Sequence, residues 1–176
     1  MQILALNELN VNTLYQSINS SYMKKEFIEE IIKSYNENGI EVYRLIGDPS
    51  WAYDNTSAKK KIDEINAYNK TVDENAKIKG VNLDIEPHVD NRWNENPQKA
   101  FTQYKNTMID LYNYAKQYNL QVTICTNVWF SKYEGFEELY QKAADTYSIM
   151  NYVKNTNISG IKEEIAIAEK YNKKIE

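Results

Sequence analysis

The stretch Lys79-Gly80-Val81-Asn82-Leu83-Asp84-Ile85-Glu86-Pro87 decides how the chain is read. In an extended segment side chains alternate, so Val81, Leu83 and Ile85 fall on one side and Asn82, Asp84 and Glu86 on the other. Both faces of a parallel sheet are normally covered and apolar. Two carboxylates on one face therefore lose hydration unless partners or a chemical task retain them. Pro87 has no N–H with which to continue a ladder, so the strand predicted from Val81 to Glu86 stops there, with Glu86 at its carboxyl end. Ligands of parallel sheets gather at that end. An accidental pair at a solvated strand end is the plainer reading of the same residues.

Outward from this stretch, helical and strand-like patterns alternate. Upstream, Ile62, Ile65, Val72 and Ala76 form a helical stripe, Glu41 to Ile46 reads as a strand, and Met23, Phe27, Ile31 and Tyr35 recur at helical spacing before a stop at Gly39. Ile3, Leu4, Leu6 and Leu9 suit a helix at the start, and Thr13 to Ile18 a strand. Downstream, Asn96 and Pro97 have the character of an N-cap and first helical position, followed by an apolar stripe of Phe101, Tyr104, Met108, Leu111 and Ala115. A strand is expected over Gln121 to Cys125. A short helix carrying Phe136, Leu139, Tyr140 and Ala143 follows, then a strand over Thr146 to Tyr152 and a helix with Ile161, Ile165 and Ala168. Ile175 begins a further strand.

With no Pro, Gly or Ser-rich linker, residues 1–176 read as a single α/β domain with parallel strands. A complete (β/α)8 barrel takes about 250 residues. The strand count therefore predicts a TIM-barrel-like but incomplete unit covering strands two to six. A complete five-stranded doubly wound sheet fits the length better, but no Gly-rich phosphate loop follows any strand.

Residues 79–86 resemble the fourth-strand signature of family 18 glycoside hydrolases, the chitinase-like barrels, whose pattern is D-G-x-D-x-D-x-E. Gly80, Asp84 and Glu86 match it; Lys79 and Asn82 depart from it. Met150-Asn151-Tyr152-Val153 is similar to the family's sixth-strand M-x-Y-D, with Val153 where an Asp would sit. The resemblance implies a hydrolase of β-linked N-acetylhexosamine-containing glycans such as chitin, peptidoglycan or N-glycan cores. Its catalytic residues would be Glu86 as general acid, Asp84 as the group that orients the substrate's 2-acetamido arm, and Tyr152 as a hydroxyl donor to it. Asp84 and Glu86 lie roughly 6.5 to 7 Å apart at Cα, within reach of mutual influence. Asn82 and Val153 in place of Asp leave open a carbohydrate-binding barrel without catalysis. A glycosidase of another barrel family, with a separate nucleophile, is a third reading.

Further substrate contacts are expected from Trp51 and Trp129, which follow strand ends and could stack on sugar rings, as could Trp93. Asn127, Asn151, Met150 and His88 stand at or near strand ends, and Asn82 shares the carboxylates' face. For Asp48 a cap or turn is the commoner role. Asp84, Glu86 and His88 form D-x-E-x-H, but Pro87 breaks the phase and the chain has one His, so no metal site is expected and the chemistry calls for no cofactor. Cys125, the single cysteine, reads as core.

The 176 residues are 42% hydrophobic and 26% charged, in the range of a folded domain. Lys+Arg 21 against Asp+Glu 25 leave a net charge of -4 and no basic stripe, which argues against nucleic acid. No apolar run is long enough to span a bilayer. The first ten residues lack a signal-peptide layout, although the resemblance implies a parent protein that is secreted or attached to the cell envelope. Oligomeric state is not legible.

Overall fold

The computed structural model describes residues 2–152 and 157–176. Six parallel strands lie side by side in sequence order: β1 (Thr13–Gln16), β2 (Glu41–Ile46), β3 (Gly80–Leu83), β4 (Gln121–Asn127), β5 (Thr146–Met150) and β6 (Lys174–Ile175). The order never reverses, which excludes the doubly wound sheet and gives a half-barrel. Its outer face is flanked by helices: α1 (Gln2–Glu8), α2 (Glu26–Glu37), α3 (Thr56–Asn69), α4 (Asn91–Glu95), α5 (Pro97–Lys116), α6 (Phe136–Lys142) and α7 (Lys162–Lys170). The further strand begun by Ile175 is β6, one more than the five read as complete strands.

The longest helix is built as its sequence predicts. The Asn96 side chain accepts from the Lys99 N–H at 3.0 Å and Pro97 opens the first turn, where its missing N–H costs nothing. Phe101, Tyr104, Met108, Leu111 and Ala115 are all fully buried, facing Val81, Leu83, Val122 and Ile124 on the outer side of the sheet. Truncating any of the larger ones would cost about 2–5 kcal/mol.

Other expectations shift. Ile28 and Ile32 point into the core, whereas Phe27 and Ile31 are exposed, because α2 begins at Glu26 and turns its buried face by one residue; Met23 is buried ahead of the helix. Val72 and Ala76 lie beyond α3, whose own buried stripe is Ala58, Ile62, Ile65 and Tyr68. β1 stops at Gln16 and β5 at Met150, both short of the expected ends, while β4 runs two residues past Cys125 to Asn127. Arg44 sits in the middle of β2, buried on the helix side. Its guanidinium donates to the Ile18 and Lys61 carbonyls, the Glu64 carboxylate and the Ser20 hydroxyl, so a residue of outward parity ties the loop after β1 to α3.

Parallel register sets what the concave face carries. Leu45 pairs with Asn82, Asn82 with Thr123, and Thr123 with Thr146, so these four project to the inner side together. Gly80 shares that side. A Cβ there would lie 2.2 Å from the Gln121 carbonyl oxygen and 2.7 Å from the Tyr43 ring, so only glycine lets β3 and β4 close around Tyr43.

Candidate active site at the carboxyl end of the third strand

The ladder of β3 ends at Leu83, three residues before the predicted end at Glu86, yet the Asp84 N–H still donates to the Ile46 carbonyl at 2.9 Å. Gly47 follows directly. A Cβ at Gly47 would stand 2.0 Å from the Asp84 carbonyl oxygen and 3.2 Å from the Asp84 Cβ, so the chain end of β2 presses on the backbone of Asp84 through a bare Cα. Asp84 is thereby held on the inner face beside Asn82, which is 1% exposed. Its Oδ1 is buried, and among the described residues no donor reaches it.

Cys125, on the neighbouring strand, shares that face, because alternation from Thr123 brings it inward. It is therefore a wall of the site and not part of the helix-packed core. Its thiol donates to Asn82 Oδ1 at 3.4 Å. Burial pushes the thiol pKa up to about 12, with the charges of Asp84 and Glu86 adding in the same direction. Tyr104 reaches in from α5, its hydroxyl donating to the Cys125 carbonyl at 3.4 Å. Burial raises its pKa well above the ordinary value, with Cys125, Tyr140, Asp84 and Glu86 adding to the effect.

Glu86 leaves the extended conformation at φ -103°, ψ 84°, and the turn Pro87–Val89 closes behind it with the Val89 N–H on the Glu86 carbonyl at 3.1 Å. That single turn brings His88 back alongside, with Nε2 3.5 Å from Glu86 Oε2. The imidazole meets Trp129, Trp93 and Phe130 edge-on, with ring centroids at 5.1, 6.4 and 6.4 Å. Trp93 is buried and meets Tyr133 edge-on, so of the two indoles beside His88 it braces the wall while Trp129 is partly open to solvent.

Asn82, Asp84, Glu86, His88 and Trp129 are thus brought together. Asn127 and Met150 are register partners at the ends of β4 and β5, on the inner side with Cys125. Trp51 lies in the turn after β2 and lines a cavity of about 280 Å³ with Ser17, Arg44, Gly47 and Lys61, which reaches the glycine beside Asp84. Asn151 closes a tight turn, its N–H on the Ile149 carbonyl at 2.9 Å. Tyr152 is 86% exposed two residues past β5. Val153 lies outside the described residues. Asp48 caps the turn after β2, accepting from the Ser50 N–H at 2.9 Å. Among the described residues no group of three or more His, Cys, Asp and Glu side chains is placed to hold a metal ion.

Sequence reasoning overlooked Gly47, Cys125 as a site wall, and Tyr104 as the hydroxyl that braces Cys125 from behind the sheet. A glycine directly after a strand-like run, before Asp48, was a signal for the first. The parity of Gln121, Thr123 and Cys125 was a signal for the second. For Tyr104, an evenly spaced member of an apolar helical stripe, there was none.

No family model and no curated protein matches the sequence. Solved structures do. A chitinase from Bacteroides thetaiotaomicron superposes with a TM-score of 0.60 at 16% identity, over 93% of this chain and 57% of its own. Catalytic domain 2 of the Ostrinia furnacalis group II chitinase, in complex with penta-N-acetylchitooctaose, (NAG)5, matches with a TM-score of 0.52 at 14% identity, over 74% of this chain and 36% of its own. D-psicose 3-epimerase from Clostridium cellulolyticum H10, crystallised with D-tagatose, matches with a TM-score of 0.57 at 10% identity, over 99% of this chain and 76% of its own. At such identities the likeness is one of fold: an arc of a TIM barrel, matched in chitinases and in an epimerase alike. The chain spans about half the length of the bacterial chitinase it matches.

Proposed function

We propose that this half-barrel belongs to a glycoside hydrolase acting on β-linked N-acetylhexosamine-containing glycans, by acid catalysis with substrate assistance. The observation that carries the reading is the buried, unpartnered Oδ1 of Asp84 on the inner face, two residues before Glu86. A carboxylate oxygen hidden from water and without a donor is costly, and it is retained where a ligand donor completes it.

In this reading Glu86 gives its proton to the leaving glycosidic oxygen as the bond to the anomeric carbon breaks. The carbonyl oxygen of the substrate's own 2-acetamido group attacks that carbon, forming an oxazolinium ion. Asp84 accepts the acetamido N–H and balances the positive charge that develops. The Tyr152 hydroxyl donates to the acetamido oxygen, which requires it to turn inward from its exposed position. Water then opens the ring, with Glu86 taking back a proton. Trp129 supplies a sugar-stacking wall, with Asn127, Met150, Asn151 and Trp51 lining the approach. On this reading the parent protein is secreted or attached to the cell envelope, where chitin and peptidoglycan lie.

A second reading, a carbohydrate-binding barrel without catalysis, is favoured by one observation: Asn82 stands where the family pattern has an Asp, its amide oxygen engaged by Cys125. Turnover of a chromogenic N-acetylglucosamine oligomer, beside a binding titration, separates the two. Glu86→Gln is expected to abolish turnover and spare binding, since the amide keeps the shape but has no proton to give; the loss is about 100- to 10,000-fold. Asp84→Asn is expected to cut turnover less. Saturable binding without turnover in the wild type would establish the second reading, and turnover sensitive to chelators would overturn both.

A further inference from the structure

We propose that His88 is the positioning residue for Glu86, its Nε2–H holding the acid's carboxyl toward the mouth of the half-barrel while Trp93, Trp129 and Phe130 back the imidazole. This rests on the reading of Glu86 as the acid. Three observations support it.

The first is the wall. Trp129, Trp93 and Phe130 pack on one another and together back one side of the imidazole, on a wall that Phe101 and Tyr133 continue, so the ring cannot turn toward them without opening that packing. The second is that the ring has one polar outlet. Nδ1 is buried with no partner among the described residues, whereas Nε2 faces Glu86 Oε2 at 3.5 Å. A buried N–H without an acceptor is costly, so the neutral ring carries its hydrogen on Nε2, toward the carboxylate. The third is the backbone. Pro87 fixes the first residue of the turn, and the Tyr53 hydroxyl donates to the Pro87 carbonyl at 3.5 Å, so Glu86 and His88 are joined by one braced peptide turn.

Two charges on neighbouring segments are already engaged. Asp90 is held by Arg92 through two guanidinium bonds, and Lys132 lies over the Trp129 and Tyr133 rings. Glu86 is the carboxylate that lies within ion-pair distance of His88. A flexible Glu at a strand end samples several rotamers, and a displacement of about 1 Å at a reacting group costs on the order of 100-fold in rate. The contact at His88 removes that freedom without itself touching the reacting atoms.

The test uses the full chain with two variants. His88→Phe keeps the ring and its packing but deletes the donor; His88→Gln places an N–H near the Nε2 position. With a chromogenic N-acetylglucosamine oligomer, His88→Phe is expected to lower kcat about 10- to 100-fold with KM within about twofold, and His88→Gln to recover most of it. Unchanged kcat in His88→Phe, or no recovery in His88→Gln at equal thermal stability, would overturn the proposal. A second measurement needs no turnover: the carbon resonance of the Glu86 carboxyl should move between wild type and His88→Phe, and His88→Gln should bring it back toward the wild-type position. A Glu86 resonance blind to His88 would overturn the positioning role whatever the kinetics. A resonance that moves in this way in a protein that turns over no substrate would sink the hydrolase reading alone.

Discussion

Gly47→Ala is the most informative perturbation outside the carboxylates, because its effect can be worked from the contact it would violate. The added Cβ would stand 2.0 Å from the Asp84 carbonyl oxygen, against a practical floor of 3.0 Å, so the two segments must part by about 1 Å. That separation acts on the Asp84 N–H to Ile46 bond, which is the last tie between the chain ends of β2 and β3. Overpacking of this kind costs about 1–3 kcal/mol, or roughly 2–12 °C in Tm for a chain of this size. The displacement also falls on Asp84 itself, where about 1 Å is expected to cost on the order of 100-fold in turnover. Gly39→Ala is the control. It strains a backbone at φ +76°, where a Cβ meets nothing within 4 Å, so it should lower Tm by a comparable amount and leave the site untouched. Thermal melts of both variants, with oligosaccharide binding and turnover well below either Tm, make the comparison. Wild-type function in Gly47→Ala, or an equal functional loss in Gly39→Ala, would refute the claim that Gly47 seats Asp84.

Cys125 gives a pH test. Its folded pKa is raised to about 12, so the thiol is protonated in both states below roughly pH 8.5, ionises first in the unfolded chain above that, and stability falls as pH rises toward 12 at up to about 1.4 kcal/mol per unit. Urea unfolding between pH 8 and 10.5 should show wild type losing more stability than Cys125→Ser, and parallel losses would rule out this burial of the thiol. Trp129→Ala should weaken oligosaccharide binding about tenfold, or about 1.4 kcal/mol, and an unchanged titration would remove Trp129 from the sugar-binding wall.

The half-barrel was legible because period-two and helical patterns alternate cleanly, and because the inner parity of Asn82 and Asp84 is visible in the letters alone. The helix-facing residues of β3 and the stripe on α5 follow directly from it. What escaped has physical causes. Strand ends were set too far along because alternation continues past the last ladder bond: Asp84 keeps one bond to β2, but Glu86 has none and turns away with Pro87. The phase of α2 was misread because Ile28 and Ile31 are equally apolar; only the packing partner decides which is buried. The roles of Gly47 and Tyr104 depend on contacts between segments distant in sequence, which no local pattern encodes. The metal-like D-x-E-x-H spacing is explained by the turn at Pro87, which carries His88 to the side of Glu86 and against an aromatic wall.

Asn82 has a consequence for how the site can work. An Asp at this nearly sealed position would put a second carboxylate on the inner face next to Asp84, and two such groups share a proton because neither can shed the other's field in a dry interior. Asn82 is neutral and cannot take or return a proton, and its Oδ1 is occupied by the Cys125 thiol. The thiol, with its pKa near 12, does not replace the missing acid at neutral pH. Under the hydrolase reading, Asp84 therefore acts without a proton-sharing neighbour on the strand, as a fixed group that accepts the acetamido N–H and offsets the oxazolinium charge by position alone. Such a site depends more on where Asp84 is held than on how its proton moves. Gly47 and the Ile46 carbonyl fix Asp84, and His88 fixes Glu86, so rigid placement takes over part of what a second carboxylate would supply.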